Sequence, residues 1–380
     1  MPDEQLSALR EFRQTLHRYP EVSGHEKDTA QRIQNFLNGY KPDKMQGDVG
    51  GHGIIATYTS GKPGPHILFR GDMDALPIQE INHFEHRSEF DGVSHKCGHD
   101  GHSCILLGLA CLLHENPIPK GKVSLLFQPA EENGEGAQAV LKNPEFQTLK
   151  PDFVFALHNL PGYPLHEVVW HRGSFTASVI SLILRFKGKT SHAAEPEKGK
   201  NPANAIADIL EICNHLSNNA PERANFNLIT PIHIEMGEIA YGISAGYGEL
   251  HLTIRAWDEA NMRTLCDRIT EHVRETEQHY DLPIEAEWTH AFKANQNNDE
   301  AVDAILKAAD SLKLTEHERS IPFKWGEDFG LFTQHYKGAM FGLGSGKNCP
   351  SLHNPDYDFP NALIDTGANL FYQITTELLA

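Results

Sequence analysis

The chain alternates short apolar runs with segments whose apolar residues recur every three or four positions. Leu6, Leu9, Phe12 and Leu16 line one face of an amphipathic helix that Tyr19-Pro20 ends. A second helix is predicted over Glu26–Leu37. Apolar runs then follow at Gly53–Tyr58, His66–Arg70, Val123–Phe127, Asp152–Leu157 and Ala339–Leu343, with a helical stretch over His102–Glu115 between them. Short continuous apolar runs interleaved with helices are the pattern of strands buried on both faces. This part of the chain therefore reads as an α/β domain with a mainly parallel sheet.

The middle of the chain has a different rhythm. Strands are predicted at Ser178–Phe186, Asn227–Ile234, Glu249–Trp257 and Pro283–Trp288. Helices are predicted at Asn201–Leu216, with Ala203, Ile206, Ala207, Leu210 and Cys213 on one face, and at Asn261–Tyr280, with Leu265, Ile269 and Val273 four apart. The order β-α-β-β-α-β is ferredoxin-like. The expected organisation is a first domain of residues 1–175 and 291–380, with a ferredoxin-like α+β satellite domain of residues 176–290 inserted into it.

Composition narrows the partners. A length of 380 residues suits two domains. The 33 basic against 51 acidic residues give a net charge of −18, which disfavours nucleic acid and anionic lipid as partners. The longest apolar run, Cys104–Leu113, is too short to span a bilayer, and Met1–Gln5 lacks the features of a secretory signal. Six cysteines in so long a chain do not form a disulfide framework, so a reducing, cytoplasmic setting is expected. The 23 histidines are the unusual feature, because histidine serves as general base, pH switch and metal ligand.

Candidate chemistry gathers where predicted strands end. His66–Arg70 runs into Gly71-Asp72-Met73-Asp74, Val123–Phe127 into Gln128-Pro129-Ala130-Glu131-Glu132, and Phe153–Leu157 into His158-Asn159. Cys97-Gly98-His99-Asp100-Gly101-His102 stands directly before a helix. Ligands of open α/β sheets collect outside the carboxyl ends of the strands, so these distant groups can share one cleft. Taken singly, each has a plainer explanation: a cysteine beside a histidine is more often packing, a glutamate pair a solvated loop, a histidine a hydrogen-bonded core residue, and Asp72 with Asp74 a turn. Together they form a donor set of thiol, imidazole and carboxylate. That set suits zinc, with manganese or cobalt allowed by the carboxylates, and more than four donors points to two cations.

At these residues the sequence resembles the M20 metallopeptidase family, in its amidohydrolase branch. The resemblance runs through Leu16-His17-Arg18-Tyr19-Pro20-Glu21, Gly71–Pro77, Cys97–His102, Gln128–Glu132 and Ala156-Leu157-His158. It continues in Ser191-His192-Ala193-Ala194-Glu195-Pro196, Gly326-Glu327-Asp328-Phe329 and Leu352–Phe359. It implies two divalent metal ions per chain, zinc or manganese first, with cobalt or nickel as alternatives. Cys97 would bridge the two; His99 and Glu132 would complete one shell, and His158 and His353 the other. Glu131 would be the general base, and Asp74 would orient a ligand histidine. His192, on the satellite domain, would reach the partner subunit's site and stabilise the oxyanion. Arg255 would hold the substrate carboxylate.

The resemblance further implies a homodimer or larger homo-oligomer acting on a small acylated amino acid or short peptide. The expected activity is hydrolysis of that amide bond. The alternatives are a dipeptidase or carboxypeptidase of the same family and a non-catalytic binding protein. One stretch departs from the family: Tyr241-Gly242-Ile243-Ser244-Ala245-Gly246 stands where many members carry Asn-Val-Ile-Pro. Contacts to substrate are therefore not carried over onto it. Cys104, Cys111, Cys213, Cys266 and Cys349 are assigned to packing. His95, His102 and His114 are expected to be structural or at the surface.

Overall fold

In the computed structural model, which describes residues 1–380, the five predicted apolar runs become strands of one sheet, and three further strands that the pattern did not predict complete it to eight. In chain order these are β1 (Lys44–Val49), β2 (Gly53–Thr59), β3 (His66–Asp72), β4 (Lys122–Gln128), β5 (Phe153–Leu160), β6 (Val168–Trp170), β7 (Glu316–Glu318) and β8 (Lys337–Gly344). Their spatial order is β1-β2-β4-β3-β5-β8-β6-β7. The central strands β4, β3, β5 and β8 run parallel, and antiparallel pairs join β1 to β2, β2 to β4 and β6 to β8. Every residue of β3 and β5 is buried, which is why these strands read as continuous apolar runs.

The helix His99–Glu115 packs against β3 and against the helices Asp3–Arg18 and Ala362–Leu378. It is buried from His99 to Leu113, so its sequence has no polar stripe to mark a solvent face. Because β3, β4 and β5 are parallel, their carboxyl ends share one edge. That edge receives Asp74, the Glu131-Glu132 loop and His158.

The chain separates into two compact units, one of residues 1–175, 295–320 and 328–380, the other of residues 176–294 and 321–327. The pattern reading gave all of 291–380 to the first domain, but Ile321–Glu327 packs with the second unit. There Phe323 bridges to Thr176 and accepts the Ala177 N–H at 2.9 Å, and Lys324 O accepts from Arg255 at 2.7 Å.

The second unit is a four-stranded antiparallel sheet in the order 227–236, 247–256, 178–187, 284–292. The strand Tyr247–Ala256 alternates buried and half-buried positions along almost its whole length. Leu250, Leu252 and Ile254 pack with Ile206, Ile209, Leu265 and Ile269 of the helices Ala203–Leu216 and Glu259–Tyr280. This is the predicted β-α-β-β-α-β order. The strand Asn227–Met236 forms one edge; it tolerates Pro231 and leaves Ile232 and Ile234 exposed. No helix is long and apolar enough to cross a membrane.

Candidate metal centre

In the first unit, each donor is placed by a local feature of the backbone. Gly98 sits between Cys97 and His99 with φ +100°, and a Cβ there would lie 2.4 Å from Asn159 Oδ1. Only glycine makes this turn, and it lets His99 open the helix beside Cys97. His158 comes from β5; its Nδ1–H donates to Asn159 O at 2.9 Å, which leaves Nε2 facing Cys97 Sγ at 3.5 Å. His353 adopts φ +65°, and its backbone N–H donates to Lys96 O at 2.7 Å.

Asp74, at the end of β3, does two things. Its carbonyl and its Oδ1 both accept from His99 Nδ1–H, at 2.9 and 3.1 Å, which fixes the tautomer and leaves Nε2 as the acceptor. Its Oδ2 accepts from the Ser23 hydroxyl at 2.7 Å and from the Glu132 N–H at 3.0 Å.

Glu131 Oε2 and Glu132 Oε1 lie 3.9 and 3.8 Å from His99 Nε2, and Glu132 Oε2 lies 3.8 Å from His353 Nε2. Within 4.8 Å the donor atoms group as Cys97, His99 and His158, and again as Cys97, Glu132 and His353. Both groups use Cys97, as a bridging ligand would. A third group joins His99 with Glu131 and Glu132.

His99 Nε2 and Glu132 Oε1 are buried and have no hydrogen-bond partner. Burial pushes the Cys97 thiol up, the Glu132 carboxyl up to about 7, and the His158 imidazole down. Burial also lowers His99, but Asp72, Cys97 and Asp74 more than offset it and hold the imidazole well above its ordinary value. Nitrogen, sulfur and oxygen donors converging on one buried space, two of their atoms without a partner, fit a cation that would displace their protons.

Several further residues support the donors. Arg70, buried on β3, donates to Asp72 at 2.5 Å, to Gln128 at 2.9 Å and to Asp328 at 2.7 Å. Asp328 in turn accepts from Gln128, and its backbone N–H donates to Glu131 Oε1 at 3.4 Å. His102 is structural: Nδ1 bonds Asp72 at 2.6 Å, and Nε2 bonds Asn159. His95 is buried, and burial pushes it down to about 4.

His192 and Arg255 belong to the second unit. His192 is exposed in a short strand paired with Ile243-Ser244, so the stretch that departs from the family is its direct neighbour. Its ring accepts the Ala194 N–H at 3.1 Å. Arg255 lies near the end of its strand, and burial lowers its pKa. Within this unit it donates to Lys324 O, and no acidic side chain pairs with it there.

Sheet, insertion and donor set define a hydrolase of the M20 type. Residues 68–377 match the model of peptidase family M20/M25/M40, and the chain belongs to that family. It is similar to the N-acetyldiaminopimelate deacetylase of Bacillus velezensis, 28% identical with 98% of this chain and 99% of the relative covered. It is similar to the hippurate hydrolase of Campylobacter jejuni, 28% identical over 98% of this chain and 96% of the relative. Its fold matches the crystal structure of the Bacillus subtilis YxeP protein, described as a dinuclear metal binding peptidase of the M20 family. The TM-score is 0.84, with 25% identity and 100% and 99% of the two chains covered.

Proposed function

We propose that this amidohydrolase cleaves the amide bond of N-acyl amino acids or similar small amides, with Glu131 as general base beside two divalent cations. The observation that carries the reading is the convergence of Cys97, His99, Glu132, His158 and His353 as two triads sharing one thiol, with Glu131 grouped beside His99 and Glu132. The two relatives' names, a deacetylase and a hippurate hydrolase, both describe cleavage of an N-acyl amino acid. Zinc or manganese suits the mixed thiol, imidazole and carboxylate set, with cobalt or nickel as alternatives.

When bound, such a pair of cations acidifies water and polarises the amide carbonyl. Glu131 takes the proton from the attacking water and delivers it to the leaving amine, a role worth about 10²–10⁴-fold. Two adjacent glutamates divide the work, Glu132 as ligand and Glu131 as base. Asp74 keeps His99 in the tautomer whose Nε2 is open. His192 donates to the carbonyl oxygen of a partner subunit's substrate as charge builds there. Arg255, a half-buried guanidinium without a carboxylate of its own, receives the carboxylate of the amino acid.

A second copy of the chain is the partner this requires. The edge strand Asn227–Met236 and the following loop leave Ile232 62% and Tyr241 96% exposed, which supports pairing through that edge. All six cysteines are unpaired, which supports a cytoplasmic setting.

Metal analysis combined with initial rates on acetylated, benzoylated and free-amine substrates tests the reading. Acylated amino acids should be hydrolysed, chelation should abolish the rate, and zinc or manganese should restore it. Activity that survives complete metal removal would rule the reading out. Two bound metals with no turnover of any amide would point to a binding protein, and preference for free-amine substrates to a peptidase.

A further inference from the structure

Three backbone N–H groups around Glu131 and Glu132 each donate to a carboxylate from a distant segment. Ala130 N–H donates to Glu26 Oε1 at 2.8 Å, Glu132 N–H to Asp74 Oδ2 at 3.0 Å, and Ala137 N–H to Asp328 Oδ2 at 2.8 Å. Asp74 already has a place in the reaction. Glu26 has none, and its geometry is not what its position predicts.

Glu26 directly precedes the helix Lys27–Asn38, where a carboxylate ordinarily caps the free N–H groups. Its side chain makes no cap bond. Glu21 does that work instead, accepting from Thr29 N–H at 2.7 Å and Asp28 N–H at 3.2 Å. Glu26 is fully buried, and its Oε1 turns to the N–H groups of Gly24, at 2.9 Å, and Ala130. Its Oε2 is buried with no partner. An apolar side chain would fill the same space without desolvating a carboxyl, so packing alone does not account for a glutamate.

The group it holds is also unusual. Ala130 has φ +53°, a left-handed conformation that a residue with a Cβ seldom adopts unless its surroundings impose it. The next two residues are Glu131 and Glu132. Ala130 O accepts from Gly136 N–H at 2.9 Å, so the loop closes on itself just behind the strained residue. Ser23, three residues before Glu26, reaches the same loop through Asp74.

We propose that Glu26 is a positioning residue for the reaction. Its buried carboxyl holds Ala130 in the left-handed conformation and so sets where Glu131 and Glu132 present their carboxylates. This rests on the reading of Glu131 as base and Glu132 as ligand. It also explains why the glutamate that precedes the helix Lys27–Asn38 does not cap its N–H groups.

The test uses the metal-loaded enzyme and the variants Glu26→Ala, Glu26→Gln and Glu26→Ala with Ala130→Gly. Glu26→Ala should lose about 10–100-fold in kcat with KM little changed, and should hold metal about 10-fold less tightly in competition with a chelator, because Glu132 moves with the loop. Glu26→Gln keeps an oxygen acceptor and should stay within a few-fold of wild type. Adding Ala130→Gly to Glu26→Ala should recover part of the lost kcat, since glycine adopts a positive φ unaided.

A residue that only anchored the helix would lower the melting temperature and leave kcat and metal affinity of the folded enzyme alone. That result, or a double variant no faster than Glu26→Ala, overturns the proposal. If Glu26→Ala does not fold, Glu26→Asp replaces it, being one methylene too short to reach Ala130; wild-type kcat in that variant also overturns the proposal. Glu131→Gln, assayed alongside, separates the two ideas. An inactive Glu131→Gln with a fully active Glu26→Ala defeats the positioning role alone, while an active Glu131→Gln defeats the reading beneath it.

Discussion

Two buried polar clusters lie side by side in the first unit, and they differ in one respect. In the first, every charge has a partner. Lys96 Nζ donates to Glu80 at 2.5 Å and to Tyr357 O at 2.8 Å. Arg13 meets Asp358 at 2.5 Å and Asp100 at 3.2 Å, and His17 sits between Asp100 at 2.9 Å and Glu80 at 3.1 Å. In the second, His99 and Glu132 keep buried atoms with no partner. The two clusters are adjacent in sequence, Lys96 next to Cys97 and His99 next to Asp100. Native proteins seldom leave buried polar atoms unsatisfied, so the paired cluster reads as scaffold and the unpaired one as the place where the proposed cations would bind. One orphaned ring is not enough for that inference. Neither nitrogen of His95 has a partner, yet His95 joins no group of converging donors.

The largest expected effect lies in the unpaired cluster. Glu131→Gln removes the proton acceptor and spares all five donors. Turnover should fall about 10²–10⁴-fold while metal content stays at the wild-type level. Rates measured beside metal analysis read both, and a fully active variant would break the assignment of Glu131.

Lys96→Met strikes the paired cluster and takes the lysine cation from Glu80, which keeps its hydrogen bonds from His17 and the Ser88 N–H. The unfolding free energy of the metal-free protein should drop by about 3–5 kcal/mol. Denaturant titration measures it; a change below roughly 1 kcal/mol would mean that the pairing contributes no more than a surface ion pair does.

The same cluster should respond to acid. Burial raises the Glu80 carboxyl, but hydrogen bonds from His17, Lys96 and the Ser88 N–H more than offset this and hold its pKa at about 2, against an ordinary 4.5. A folded value below the unfolded one stabilises the protein fully above pH 4.5, and the gain is lost as pH falls toward 2. The gain is on the order of 3 kcal/mol. The gap in unfolding free energy between wild type and Glu80→Gln should be wide at pH 6 and close below pH 4.5. A gap unchanged between pH 6 and pH 3 would refute this account.

The smallest effect has the opposite sign. Burial raises the Glu132 carboxyl to about 7, so ionising it destabilises the metal-free fold as pH rises from 4.5 through 7. At pH 8 in the presence of a chelator, Glu132→Gln should melt a few degrees above wild type, although it binds metal more weakly. If it melts lower, as Lys96→Met should, the distinction between the clusters disappears.

Much of the architecture was legible in the chain because burial leaves a period. The alternation in Glu249–Trp257 and the four-residue spacing of Leu265, Ile269 and Val273 reflect elements with one buried face, and the β-α-β-β-α-β order followed from them. The all-buried strands β3 and β5 were readable as uninterrupted apolar runs. Ile321–Glu327 was not readable: it has no period, and what assigns it to the second unit is pairing with Thr176 and Ala177, about 145 positions earlier. Cys97, His99, Glu132 and His158 were visible because their side chains are chemically distinctive and stand where strands end or a helix begins, whereas His353 entered only through the family resemblance. Their supports were less so: Glu26 reads as the start of a helix, and the partners that Lys96 and Asp328 find in Tyr357 and Arg70 lie more than 250 positions away.

The sequence by itself nominated the donors, located the central strands, and set out a second domain inside the first. These depend on side-chain chemistry and on the local match between apolar period and backbone geometry. Only the tertiary structure decided which donors stand together around Cys97, that Glu21 rather than Glu26 caps the second helix, and that three carboxylates hold the loop of Glu131 and Glu132. The reason is physical: those outcomes depend on which buried atoms find partners, and the partners lie about 60 to 200 residues apart along the chain or are absent altogether.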